Sequence, residues 1–241
     1  MVRFRAVFRI QGCRIARRAG RMIGMRLLLI RHGQTPSNVL GALDTAVPGP
    51  GLTRLGRQQA DAIPAALAEE DVQAVYASVQ IRAQMTAFPL ALTLGQPTLV
   101  REGLREISAG DLEMRNDSLA VRQYHEISFG WAEGRLEQRM PGGEDGHEVF
   151  ARFDDVVAEI SSAGLETVAC FAHGQIIRSW VGARTTNITS RFAMAHPLHN
   201  TAVITLEGSP GGWTALAWTG VALGGPALDD GRRTGPGGSV A

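Results

Sequence analysis

The most constraining feature of this chain is a repeated alternation. From Met25 onward, short apolar runs of strand length alternate with longer amphipathic segments, and two of those runs end abruptly in a histidine and a glycine. "RLLLI" (26–30) is followed by Arg31, His32 and Gly33, and "TVACFA" (167–172) by His173 and Gly174. This alternation marks the strands and crossover helices of an α/β domain built on a buried sheet.

Further strands are expected at "VQAVYAS" (72–78) and "PTLV" (97–100), and a closing hairpin at "TAVITLE" (201–207) and "WTALAWT" (213–219). Helices are expected over 52–70, over 80–94 with a bend at Pro89, over 144–164 and over 174–183. The stretch from Arg101 to Pro141 has too little periodicity to place and reads as a cap-like insert over one end of the sheet. Residues 225–241 are rich in Gly and Pro and read as a disordered tail, which makes 25–224 the domain.

With 241 residues, 44% hydrophobic and 20% charged, the chain has the composition of an ordinary globular protein. Its formal charge of +1 is unevenly spread. Residues 1–24 hold seven arginines and no acid, so the remainder is net acidic and offers no general basic face for nucleic acid. That leader lacks the serine richness of a transit peptide and the apolar block of a secretory signal. It is expected to be a disordered extension or an upstream-start artefact, with Met25 as the functional start. The two cysteines, Cys13 and Cys170, suggest neither a disulfide framework nor a metal site, which fits a cytoplasmic protein. No apolar run reaches membrane-spanning length.

Ligands of parallel sheets bind beyond the carboxyl ends of the strands, so the residues just after each apolar run are the candidates. Those residues are Arg31 and His32, Arg82 after a turn, Glu106 and His173. Together they suit a phosphomonoester. Two guanidinium groups can bracket phosphoryl oxygens, and they bias a neighbouring imidazole toward its neutral, nucleophilic form. His32 would attack phosphorus, Glu106 would protonate the leaving alkoxide, and His173 would stabilise the transferring oxygens. Glu102 and Glu113 are nearby substitutes for Glu106. His196 and His199 are weaker candidates for the pocket, His125 and His147 are assigned no role, and Asn200 is expected to bond backbone at a strand start.

These residues lie within a series of recognisable motifs. "LLLIRHGQTPSN", "LTRLGRQQA", "SVQIRAQMTA", "LREISAGDLE", "MPGGED", "FAHGQIIRSW" and "HNTAVITL" occur in the order found in the histidine phosphatase superfamily, which the chain resembles over about residues 25–207. The resemblance implies a phosphoglycerate mutase-like fold, a three-layer αβα sandwich with a mostly parallel central sheet. It implies a phosphohistidine at His32, a proton donor at Glu106, a phosphate pocket of Arg31, Arg82 and His173, a further phosphate contact at Asn38, and no need for a metal or other cofactor. Val79, Gln34, Met114 and Ala172 depart from the family's usual residues at flanking positions. "REISAGDLE" and the short stretch to Pro141 lack the features of family mutases, so a phosphatase acting on a small phosphate ester is favoured. A mutase-type phosphoryl transferase and a non-catalytic phospho-ligand binding module are the alternatives. The closing hairpin offers an edge at which a second copy could pair.

Overall fold

The computed structural model describes residues 7–9, 24–231 and 235. Seven strands form one sheet: β1 (Val7–Arg9), β2 (Met25–Arg31), β3 (Ala74–Ser78), β4 (Thr98–Arg101), β5 (Thr167–Ala172), β6 (Val203–Ser209) and β7 (Gly212–Thr219), in the order β1-β7-β6-β2-β5-β3-β4. β2, β5, β3 and β4 run parallel, and β6, β7 and β1 extend the sheet antiparallel. The helices are α1 (Pro36–Leu40), α2 (Arg54–Asp61), α3 (Ile63–Ala66), α4 (Ile81–Leu94), α5 (Ser118–Ala132), α6 (Gly146–Ser162), α7 (Gly174–Arg184) and α8 (Ser190–Ala195).

β2 shows why the molecule has three layers. Successive side chains of a strand point to opposite faces. Leu27 and Leu29 pack in a core with Tyr124 of α5, Phe153 of α6 and Ile176 of α7, whereas Leu28 and Ile30 pack with Ile63 of α3 and Ala83 and Leu90 of α4. Both faces are therefore sealed by helices, and β2 reads as an unbroken apolar run because it has no wet side. The register aligns Arg31 with Ala172, and the His32 N–H donates to the Ala172 carbonyl at 3.0 Å. The two His-Gly pairs consequently lie next to one another at the carboxyl edge of the sheet.

Several elements differ from the sequence reading. The helix expected over 52–70 is two short ones, α2 and α3, because Pro64 lacks the N–H that a continuous helix would need and instead starts α3. α4 runs through Pro89 without ending. The stretch from Arg101 to Pro141 is not wholly irregular, since it contains the fifteen-residue α5. Val7–Arg9 of the leader pairs with β7, whose Thr219, Trp218 and Ala217 oppose it. The hairpin edge expected to be open to a second copy is thus covered, and this part of the leader is ordered by the hydrogen bonds an edge strand leaves unmade. The beginning of the expected tail is also packed. Pro226–Leu228 forms a 3₁₀ turn, the Leu228 carbonyl accepts from Gln59 Nε2 at 2.8 Å, and Asp229 accepts from His199 Nδ1 at 2.9 Å. Of the expected leader and tail, residues 1–6, 10–23, 232–234 and 236–241 lie outside the described residues. No described helix is long and apolar enough to cross a membrane.

Candidate active site

The site begins where β2 runs out. Beyond Arg31 the chain must turn sharply into α1, and Gly33 permits it, since a Cβ there would lie 2.7 Å from the carbonyl oxygen of Gly56. The glycines of the two segments pack against each other, and Thr53 N–H donates to the Gln34 carbonyl at 2.9 Å. α1 then opens with a capping box. Thr35 accepts from the Asn38 N–H, and the Asn38 side chain accepts from the Thr35 N–H at 3.1 Å. Asn200 Nδ2 donates both to the His32 carbonyl and to Asn38 Oδ1, each at 3.0 Å. The expectation that Asn200 bonds backbone is met, and the backbone it holds is that of His32.

His32 Nδ1 lies 2.7 Å from the Gly33 carbonyl. An acceptor there requires Nδ1 to carry the proton, which leaves the Nε2 lone pair free. Burial, reinforced by Arg82 and Arg31, holds this imidazole well below the usual histidine range, so it is neutral at neutral pH. His173 is complementary. Arg82 Nε–H donates to its Nδ1 at 3.3 Å, so the proton sits on Nε2, a buried atom with no hydrogen-bond partner among the described residues. Burial, then Arg82 and His32, also push His173 well down. The two rings stand 5.1 Å apart between centroids. One carries an Nε2 lone pair and the other an Nε2 hydrogen.

The guanidinium groups complete this pole. Arg31 is anchored by Nη1 donating to the Leu198 carbonyl at 2.7 Å, and burial pushes its pKa down to about 10. Arg82 is held by Nη2 donating to the Asp44 carbonyl at 3.0 Å, while its buried Nη1 has no hydrogen-bond partner among the described residues. Two buried cations side by side are costly, and a bound dianion would relieve that cost.

Glu106 approaches from the opposite side. Its Oε1 accepts from the backbone N–H of Ile107 and Ile176, both at 2.9 Å, and its Oε2 from that of Gln175 at 3.0 Å. The carboxylate therefore caps the N-terminus of α7, the helix that His173 introduces. Gln80 Oε1 accepts from the Glu106 N–H at 2.8 Å, and Arg152 donates to its carbonyl at 3.2 Å.

Arg31, His32, Asn38, Arg82 and Glu106 line one cleft together with Thr35, Ala42, Leu43, Asp44, Thr45 and Tyr124. His173 stands behind it, in contact with Arg82 and His32. All six residues expected at the site are thus brought together. Glu102 is exposed, and Glu113 is occupied by the N–H groups of Thr45 and Ala46, so neither takes the place of Glu106. His196 stacks on Phe192 and His199 binds Asp229, and neither lines the cleft. The sequence reading missed Asp44, Thr45 and Tyr124, which carry no local signal because they reach the cleft only through tertiary packing. It also missed Thr35, which the T-x-x-N capping spacing could have revealed.

Comparison with known proteins gives the chain's family and its similarity to solved folds. A family model described as histidine phosphatase superfamily (branch 1) matches residues 27–220. The chain is 38% identical over 216 residues to the PE-PGRS family protein PE_PGRS11 of Mycobacterium tuberculosis, a match covering 83% of this chain but only 37% of that protein. It is 33% identical over 190 residues to a 2,3-bisphosphoglycerate-dependent phosphoglycerate mutase of Rhizobium etli, covering 72% of this chain and 90% of the mutase. Among solved structures, the mycobacterial glucosyl-3-phosphoglycerate phosphatase in complex with VO3 superposes with a TM-score of 0.67 at 25% identity, covering 81% of this chain and 98% of that one.

Proposed function

The chain belongs to the histidine phosphatase superfamily, and from that premise we propose that it hydrolyses a small phosphate monoester through a phosphohistidine formed on His32. The observation that carries this reading is the pairing of the two imidazoles. His32 Nδ1 is committed to the Gly33 carbonyl, so Nε2 is the only nucleophilic atom it can offer, and its neutrality is supported by the same arginines that would hold the phosphoryl group.

In the first step Nε2 attacks phosphorus as the P–O bond to the alcohol breaks. Arg31, Arg82 Nη1 and His173 Nε2–H take the charge on the transferring oxygens. Glu106 gives its proton to the departing alkoxide as general acid. In the second step water attacks the phosphohistidine, Glu106 accepts the water's proton, and His32 leaves neutral. Every charge in this scheme is met by a side chain, so turnover is expected to persist in a chelator.

The test is hydrolysis of 4-nitrophenyl phosphate by the purified protein. His32→Ala should lower kcat by at least about 10³-fold and abolish a phosphoenzyme trapped by rapid acid quench. Glu106→Gln should slow alkyl phosphates far more than 4-nitrophenyl phosphate, whose leaving group needs little protonation. A His32→Ala protein within tenfold of the parent rate would sink the phosphohistidine reading, and equal losses for both ester types would remove Glu106 from the acid role.

A further inference from the structure

The cleft contains one charged group for which the scheme above has no use. Asp44 lines it, with Oδ1 3.9 Å from Arg82 Nη1, the same nitrogen that is buried without a hydrogen-bond partner. Its position is fixed on all sides. The Ser37 hydroxyl donates to Oδ2, the Asp44 N–H donates to the Ala42 carbonyl at 3.0 Å, and the Asp44 carbonyl holds Arg82 Nη2. A second acid stabilises the same loop, because Glu113 Oε1 accepts from the N–H groups of Thr45 at 2.8 Å and Ala46 at 3.1 Å.

The charge balance of the cleft follows from its lining. Among the described residues, Arg31 and Arg82 are the only cations on its lining, and the proposed phosphoryl pocket uses both. Apart from Asp44, Glu106 and the neutral His32, the remaining wall is Thr35, Asn38, Ala42, Leu43, Thr45 and Tyr124, none of which offers a positive charge. An acidic substituent close to the phosphate would meet no guanidinium on this lining and would face the Asp44 carboxylate across a partly dry space, where like charges repel strongly. A hydroxyl or an ammonium in the same place would find an acceptor.

We propose that Asp44 is a specificity-determining residue that admits phosphate monoesters whose alcohol is neutral or cationic near the phosphate and rejects those carrying a carboxylate there. This rests on the phosphatase reading above and narrows its substrate class. Phosphoglycerate, which appears in the names of two of the similar proteins, carries such a carboxylate, so this chain diverges from them in what it accepts.

The deciding comparison is between glycerol 3-phosphate and 3-phosphoglycerate, which differ by a hydroxymethyl group against a carboxylate, with O-phosphoethanolamine as the cationic member and 4-nitrophenyl phosphate as the measure of competence. The wild-type kcat/KM should favour glycerol 3-phosphate over 3-phosphoglycerate by at least about tenfold, and Asp44→Asn should narrow that ratio by about fivefold or more. Raising the salt concentration on the wild-type protein should narrow it in the same direction, which reads the charge effect even where the variant folds poorly. A wild-type ratio near one or inverted, or a ratio that moves less than twofold in a variant still turning over 4-nitrophenyl phosphate, overturns the proposal and leaves the phosphatase reading standing. A wild-type protein that hydrolyses none of the four esters overturns both.

Discussion

At the scale of single residues the site is held by pairs that restrict each other. Asn200, itself held by Asn38, fixes the peptide after His32, the Gly33 carbonyl fixes the tautomer of His32, and Arg82 fixes that of His173. The consequence can be measured as stability against pH. Both imidazoles are held well below their ordinary range in the folded protein, whereas in the unfolded chain they titrate near 6.5. Between those limits the unfolded state binds more protons than the native one, so stability is complete above about pH 6.5 and is lost as the pH falls below it. Across the interval just below pH 6.5 each such histidine adds a slope of at most about 1.4 kcal/mol per pH unit. Urea unfolding of His32→Gln across that interval should give a profile shallower than the wild type by about this amount. Parallel profiles would mean that His32 is already charged in the native protein.

At the scale of elements, the important linkage is between α6 and the loop that carries Glu106. Arg152 projects from α6, donates to the carbonyls of Gly103 and Arg105 at 2.8 Å and of Glu106 at 3.2 Å, and pairs with Glu144 at 2.8 Å. Arg152→Lys keeps the charge but cannot span three carbonyls. It should cost about 1–3 kcal/mol of stability and should depress turnover of alkyl phosphates more than of 4-nitrophenyl phosphate. A variant that loses stability without changing that ratio would limit Arg152 to a structural role. This loop also marks where sequence reasoning ran out. β2 and β5 were legible because burial on both faces writes a continuous apolar run, and His32 and His173 were legible because they end those runs. α5 was not, because Ala120, Tyr124, His125, Ile127, Ser128, Phe129, Gly130 and Trp131 are all buried, and a helix enclosed on most sides shows little amphipathic period. α1 spans five residues, too short to show a helical period, and went unread in the sequence. Met114, noted as a departure from a usual glycine, sits in the left-handed region at φ +60°, a conformation that glycine enters at little cost.

At the scale of the whole molecule, the two ends of the described chain stand in different relations to the site. β1 is attached to the sheet edge farthest in strand order from β4, separated from β2 by β7 and β6, and it contributes no residue to the cleft. The segment after Gly225 connects to it directly. The Leu228 carbonyl accepts from Gln59, Gln59 Oε1 accepts from the Gln34 N–H at 2.8 Å, and Gln34 is the residue between Gly33 and the capping box that places Asn38. Asp230 accepts from Gln34 Nε2 at 3.3 Å, and Gly235 lies against Asn38. Removing residues 1–24 should therefore leave kcat/KM for 4-nitrophenyl phosphate within about twofold of the full chain, since β1, the strand described within them, adds nothing to the cleft. Ending the chain after Gly225 should leave the buried Gln59 amide without its acceptor, at a cost of about 1–3 kcal/mol, and should raise KM more than it lowers kcat, because the loosened loop leads into Asn38, the proposed phosphate contact, and not into Glu106 or His173. Thermal melts and full kinetic curves on the two truncations separate these outcomes. If the shorter N-terminus cost as much activity as the shorter C-terminus, the path from Leu228 through Gln59 to Asn38 would not be what couples the end of the chain to its site.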